Sequence, residues 1–146
     1  MANMNNNQIK EELNQKGIKN TKAKSVLLQI LKSSKAPQDV SNLHKACSQI
    51  TSVNLATIYR SLRQFNEKDI VQEFLSSEGV AQYEYIHQGA KSHPHFECES
   101  CHSVFCLGEL QFDDALYFSN MAKQNKINSI NITLTGLCES CQKNNQ

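Results

Sequence analysis

His93-Pro94-His95-Phe96-Glu97-Cys98-Glu99-Ser100-Cys101-His102-Ser103-Val104-Phe105-Cys106 holds three of the chain's five histidines and three of its six cysteines. Nitrogen and sulfur donors at this density point to metal. A second Cys-x-x-Cys, Cys138-Glu139-Ser140-Cys141, follows near the C-terminus. Two matched knuckles have the spacing of a tetrahedral four-thiolate zinc site, with Cys98, Cys101, Cys138 and Cys141 as ligands. The 36 residues between Cys101 and Cys138 exceed a simple zinc ribbon, so this ion would staple together the two ends of a domain. A redox Cys-x-x-Cys is the rival reading, but that motif occurs singly at a helix start. Disulfides belong to oxidising compartments. No charged-then-apolar leader and no apolar run of about 20 residues is present, so the expected location is the cytoplasm, with no membrane.

The histidines separate from the knuckles by strand parity. With residues 93–98 extended, His93 and His95 point to one face and Cys98 to the other. Pro94 between them suits an edge or a strand entry, because it donates nothing to a ladder. Cys106, on the neighbouring strand, is the nearest soft ligand, and Glu84 can add an oxygen. Glu84, His93, His95 and Cys106 would make a closed, tetrahedral, zinc-friendly set. The competing reading is a surface His-x-His pair that holds no metal.

Outward from this stretch, the second half reads as a small α+β domain. Its strands lie at His95–Cys98 and Val104–Leu107, a helix runs from Asp113 or Asp114 to about Lys126, and a period-two strand follows through Ile130, Ile132 and Leu134. Gln88–Ser92 reads as a hinge. Before it, helices are expected from Gln8 to Lys16, from Asn20 or Thr21 with Ala23, Leu27, Ile30 and Leu31 inward, from Asp39 or Ser41 with Val40, Leu43, Cys47 and Ile50 inward, and from Asn54 with Ile58, Leu62 and Phe65 inward. Ile70–Leu75 and Val80–Ile86 flank a Gly-bearing turn and read as a hairpin. Helices followed by a hairpin make a winged helix-turn-helix.

Charge is divided between the halves. Residues 1–65 carry ten Lys/Arg against three Asp/Glu, and residues 66–146 carry five against eleven. A basic half joined to an acidic half suits contact with a polyanion through one part alone. On the fourth helix Thr57, Tyr59, Arg60, Arg63 and Gln64 project away from the apolar stripe. Arginine reads guanine bidentately, and Thr or Tyr touches a methyl group or a phosphate. Lys16, Lys19, Lys22 and Lys24 supply phosphate contacts nearby. A merely solvated helix face is the plain alternative.

Leu55-Ala56-Thr57-Ile58-Tyr59-Arg60-Ser61-Leu62, the His-x-His-x-x-Cys-x-x-Cys run at 93–101 and the terminal Cys138-x-x-Cys141 together resemble the Fur-type metalloregulators, across nearly the whole chain. The resemblance implies an α+β chain with a winged helix-turn-helix DNA-binding domain over 1–87 and a small α/β metal-binding dimerisation domain with the four-cysteine zinc site over 88–146. It implies a homodimer that binds a palindromic double-stranded DNA operator when its sensing metal is present. The resemblance puts Tyr59 and Arg60 at the DNA, beside Lys16, Lys24, Thr57 and Arg63 as read from the basic cluster and the polar helix face. It puts structural zinc on the four knuckle cysteines and sensing on Glu84, His93, His95 and position 106. No small-molecule substrate and no enzymatic activity are implied. An oxidoreductase using Cys106 would need a base and an orienting partner that are not evident, and a zinc adaptor that binds protein would leave the Tyr59/Arg60/Arg63 face unexplained.

The departures from the family pattern bear on the metal. Pro37 stands where relatives often have a loop histidine, with His44, His87 and His102 left as substitutes. Pro94 replaces an acid, His102 replaces a glycine, Lys24 stands for Arg, and Cys106 stands where many have Asp or Glu. A thiolate in the sensing set favours Zn2+ over Fe2+. The expectation is therefore a zinc-responsive repressor similar to the Zur branch, with iron-responsive repression second and peroxide sensing third.

Overall fold

The computed structural model describes residues 6–87 and 93–144, and the expected hinge at 88–92 lies outside them. The chain divides after Ile86 into two compact units.

Helices of the first unit begin and end where side-chain chemistry requires. α1 (Asn6–Gln15) stops at Gly17, which takes φ +72. The Gly17 N–H donates to Asn14 O at 3.0 Å and the Ile18 N–H to Leu13 O at 2.9 Å. That is the paired arrangement of a Schellman stop, which a residue without Cβ adopts at no steric cost. α2 (Lys22–Ser33), α3 (Val40–Ser48) and α4 (Leu55–Glu67) start after Thr21, Asp39 and Asn54. These caps accept from the backbone N–H groups of Lys24, Asn42 and Thr57 at 3.2, 2.7 and 2.8 Å. Each such cap contributes about 1 kcal/mol.

The core gathers Ile9 and Leu13 of α1, Val26, Leu27, Leu28 and Leu31 of α2, Val40, Leu43 and Cys47 of α3, and Ile58, Leu62 and Phe65 of α4. On α2 the buried stripe is wider than periodicity suggests. Val26 and Leu28 are buried while Ala23 and Ile30 are half-buried, because α2 packs against α1, α3, α4 and the sheet at once. Ile50 does not belong to the core. α3 ends at Ser48, the Thr51 N–H closes its last turn onto Cys47 O at 2.9 Å, and Ile50 is 58% exposed.

β2 (Val71–Leu75) and β3 (Ala81–Tyr85) form the antiparallel wing, turning through Gly79 at φ +78. A two-residue strand, β1 (Gln38–Asp39), pairs with the other edge of β3, giving the order β1-β3-β2.

The second unit has β4 (His95–Cys98), β5 (Val104–Cys106), α5 (Asp114–Ala122), β6 (Thr133–Gly136) and α6 (Glu139–Asn144). Its sheet order is β5-β4-β6, with β4 antiparallel to β5 and parallel to β6. A parallel pair needs a crossover, and the segment holding β5 and α5 supplies it. α5 stops at Ala122, before Lys126, because Lys123 enters the left-handed region at φ +56. β6 starts only at Thr133, after the alternation at Ile130 has begun. Pro94 and Cys98 are the buried apolar side chains among the described residues of this unit. No helix in the described residues is long and apolar enough to cross a membrane.

Candidate metal centres and nucleic-acid interface

The parallel β4–β6 register explains how two distant knuckles meet. Cys98 pairs with Gly136, so both strands run in the same direction into their Cys-x-x-Cys turns at one end of the sheet. Cys138 follows β6 directly, and Cys141 lies on the first turn of α6, a helix too short and polar for periodicity to mark. In the first knuckle the His102 N–H donates to Cys98 O at 3.0 Å, and His102 takes φ +60. That left-handed geometry is the reason a glycine would suit this position better.

The four sulfurs lie within 4.8 Å of one another, with Cys101 Sγ and Cys138 Sγ 3.9 Å apart. Zinc–thiolate bonds in a tetrahedron require sulfurs about 3.8 Å apart, so the set fits such an ion without rearrangement of the backbone. The Cys98 sulfur accepts from the backbone N–H groups of Ser100 and Cys138, each at 3.4 Å. Led by the Cys138 amide, these bonds lower the Cys98 thiol to about 6, whereas the Cys138 side chain pushes Cys141 up to about 12. Four adjacent sulfurs do not all ionise unaided, and a central divalent cation would stabilise all four as thiolates. Ser103, whose hydroxyl lies 3.2 Å from Cys101 Sγ, belongs to this site too, and no spacing rule in the sequence signals it.

A second cluster occupies the other face of β4. His95 and Cys106 are directly opposed across the β4–β5 ladder. His93, His95 and Cys106 each offer a ligand atom within 4.8 Å of the others. The imidazole rings of His93 and His95 meet edge to face, centroids 4.8 Å apart, and His95 is buried. On the opposite face Phe96 and Phe105 sit beside each other, 6.5 Å between centroids, so parity keeps this cluster apart from the knuckles. Glu84 belongs to the first unit, on β3 opposite Gln72. Of the other histidines, His44 is engaged within the first unit, its Nε2 3.1 Å from Val53 O, where it ties the loop before α4 to α3.

The outward face of α4 carries Thr57, Tyr59, Arg60 and Arg63, with Tyr59 53% exposed. Thr57 Oγ1 donates to Asn54 Oδ1 at 2.9 Å and accepts from Arg60 at 3.4 Å, so the cap orients the first arginine. Arg63 pairs with Glu67 at 3.3 Å, an exposed contact worth about 0.5 kcal/mol and easily given up to another anion. A groove of about 610 Å³ is lined by Thr21, Lys24, Thr57, Arg60, Arg63 and Gln64 among others. The cationic end of α2 thus joins the outward face of α4. Gln64 is here as the polar stripe suggests, and Thr21, read from the sequence only as a helix cap, is an addition. Lys16, exposed just beyond α1, does not line this groove.

A winged helix with a basic outward helix, in a chain that also carries two clusters of residues able to hold a metal, is the make-up of a metal-dependent DNA-binding regulator. The chain belongs to the Ferric uptake regulator family, whose sequence model matches residues 15–135, and it is a metal-responsive transcriptional regulator rather than an enzyme. It is 22% identical over 134 residues to the peroxide operon regulator of Bacillus subtilis (strain 168), covering 91% of this chain and 90% of that one. The Helicobacter pylori ferric uptake regulator Fur, whose structure is described as having three functional metal binding sites, superposes with TM-score 0.73 at 17% identity over 95% of each chain. A zinc uptake regulator complexed with zinc and DNA superposes with TM-score 0.65 at 18% identity, covering 96% of this chain and 94% of the other.

Proposed function

We propose that this protein is a zinc-responsive repressor of the cytoplasm that binds a palindromic operator as a homodimer when its regulatory site is filled. Cys98, Cys101, Cys138 and Cys141 hold a structural zinc. His93, His95 and Cys106, with Glu84 contributed from β3, hold the regulatory ion. When bound, that ion supplies a cross-link among its four ligands. A filled site would hold Glu84, His93 and His95 in one arrangement, and the equilibrium would move toward it by the ion's difference in affinity between arrangements.

The observation that carries the zinc assignment is Cys106 directly opposite His95. A thiolate beside two imidazoles suits Zn2+, whereas Fe2+ sensors favour imidazole and carboxylate. Phe105, Phe112, Leu116, Tyr117, Met121 and Leu134 are large, apolar and exposed in the second unit, which supports a self-complementary interface there. Two recognition helices related by that symmetry read two half-sites, with Lys16 and Lys24 on phosphates and Thr57, Tyr59, Arg60 and Arg63 at the groove.

Operator binding measured against buffered free Zn2+ and Fe2+, for wild type and Cys106→Ser, tests the metal. Activation by zinc that Cys106→Ser weakens is expected. Equal or stronger activation by iron, with Cys106→Ser harmless, would replace this reading with iron-responsive repression.

A further inference from the structure

Glu12, Lys32 and Tyr85 meet where α1, α2 and β3 converge. The Tyr85 hydroxyl donates to Glu12 Oε1 at 2.6 Å. Lys32 pairs with Glu12 Oε2 at 2.5 Å, and its ammonium lies 4.9 Å from the centroid of the Tyr85 ring. Each member touches both others. The Lys32 and Glu12 side chains are only 14% and 23% exposed, so these charge-assisted contacts are shielded from the solvent screening that weakens open surface pairs. Burial first, and then the bond to Glu12, push the Tyr85 phenol pKa upward, which keeps it a donor.

These three residues are outside the proposed DNA contacts and metal ligands, yet each lies on or beside an element that carries one. Tyr85 follows Glu84 on β3, and alternation sends the two side chains to opposite faces. Whatever holds Tyr85 therefore holds the backbone that carries Glu84. The next residue is held as well, the Ile86 N–H donating to Ile70 O at 2.9 Å. Glu12 lies one turn before Lys16, whose N–H donates to Glu12 O at 3.3 Å. Lys32 ends the helix that opens with Thr21 and Lys24 beside Arg60 and Arg63.

We propose that Glu12, Lys32 and Tyr85 are positioning residues for metal-dependent DNA binding: the junction makes the strand bearing Glu84, the end of α1 that leads to Lys16 and the helix bearing Lys24 move as one body. This rests on Glu84 being a ligand of the regulatory ion. A junction of this kind carries coupling because its arrangement is discrete, locked by three mutual contacts, rather than continuously deformable.

The test uses full-length protein and a labelled duplex selected in vitro with the zinc-loaded wild type. Affinity is measured at buffered zinc concentrations that fill and that empty the regulatory site, and the ratio of the two is the readout. Tyr85→Phe keeps the ring and removes one hydrogen bond, and Glu12→Gln keeps the shape and removes the charge. Both are expected to keep wild-type metal content and zinc-free DNA affinity while the ratio falls about 2- to 30-fold. The double variant should lose little more than either single, since both disrupt the same contact. Ratios unchanged in both singles would overturn the proposal. So would affinities that fall equally with and without zinc, which would mark the junction as mere support. Glu84→Gln separates the two levels. If it retains the full zinc-dependent gain, Glu84 is no ligand, and both its place in the regulatory set and the role of the junction fall. If it loses the gain while the junction variants keep theirs, the junction alone is wrong.

Discussion

Removing the metal from the four-cysteine cluster should unfold the second unit and leave the first intact. The first unit has a buried core drawn from all four helices and the wing, and each fully buried Leu, Ile or Phe contributes about 1.5–3 kcal/mol. The second unit buries only Pro94 and Cys98 as apolar side chains among its described residues, and its other large apolar groups are exposed or half-buried. Its β4 and β6 lead at one end into the clustered sulfurs of Cys98, Cys101, Cys138 and Cys141, which an ion would tie together. Structural zinc on such a set contributes about 10–16 kcal/mol at neutral pH, and whole domains are stable by only about 5–15 kcal/mol. Loss of the ion therefore exceeds what the unit can withstand. Hydrogen exchange read by mass spectrometry, before and after chelation with metal loss verified in the same sample, is the assay. Peptides covering β4 and β6 should lose protection while those covering α2 and α4 retain it, and Cys141→Ser should reproduce the pattern without chelator. Unchanged protection of β4 and β6 in verified metal-free protein would refute the reasoning.

Three substitutions probe the rest. Arg60→Ala should cost about 1–3 kcal/mol of operator affinity and relax preference at one base position, measured by binding to a panel of singly altered operators; a uniform loss across the panel would place Arg60 on phosphate. Lys24→Ala should weaken binding evenly across sequences and reduce the salt slope by about 1, and an unchanged slope would remove it from the interface. His102→Gly should stabilise the metal-loaded protein by about 0.5–1 kcal/mol, since relief of the left-handed backbone outweighs the added freedom of the unfolded chain; a lower melting temperature would show that the imidazole supports the knuckle.

Much of this arrangement is legible in the residues because local chemistry and tertiary structure agree there. Thr21, Asp39 and Asn54 start helices that tertiary packing also needs, and Gly17 ends one at a position where other side chains are strained. Strand parity separates His93 and His95 from Cys98 without any knowledge of the sheet, and the observed register puts Cys106 opposite His95. The failures fall where local signal is weak or overridden. Ile50 continues the stripe of α3 in periodicity, but the helix ends before it. β1 has two residues and exists only through its pairing with β3. α6 is six residues, five of them polar, placed by Cys138 and Cys141 rather than by an apolar face. The junction of Glu12, Lys32 and Tyr85 joins residues up to 73 positions apart, which no spacing rule connects.

The central claim is that two separate metal sites share β4, one structural and one regulatory. Metal content per chain, wild type against His95→Ala, with the lost element identified by mass spectrometry, tests it most directly. Two ions per wild-type chain are expected, falling to one in His95→Ala, with the four-cysteine ion retained and the departing ion zinc. Loss of both ions, or of neither, would contradict the division of the site.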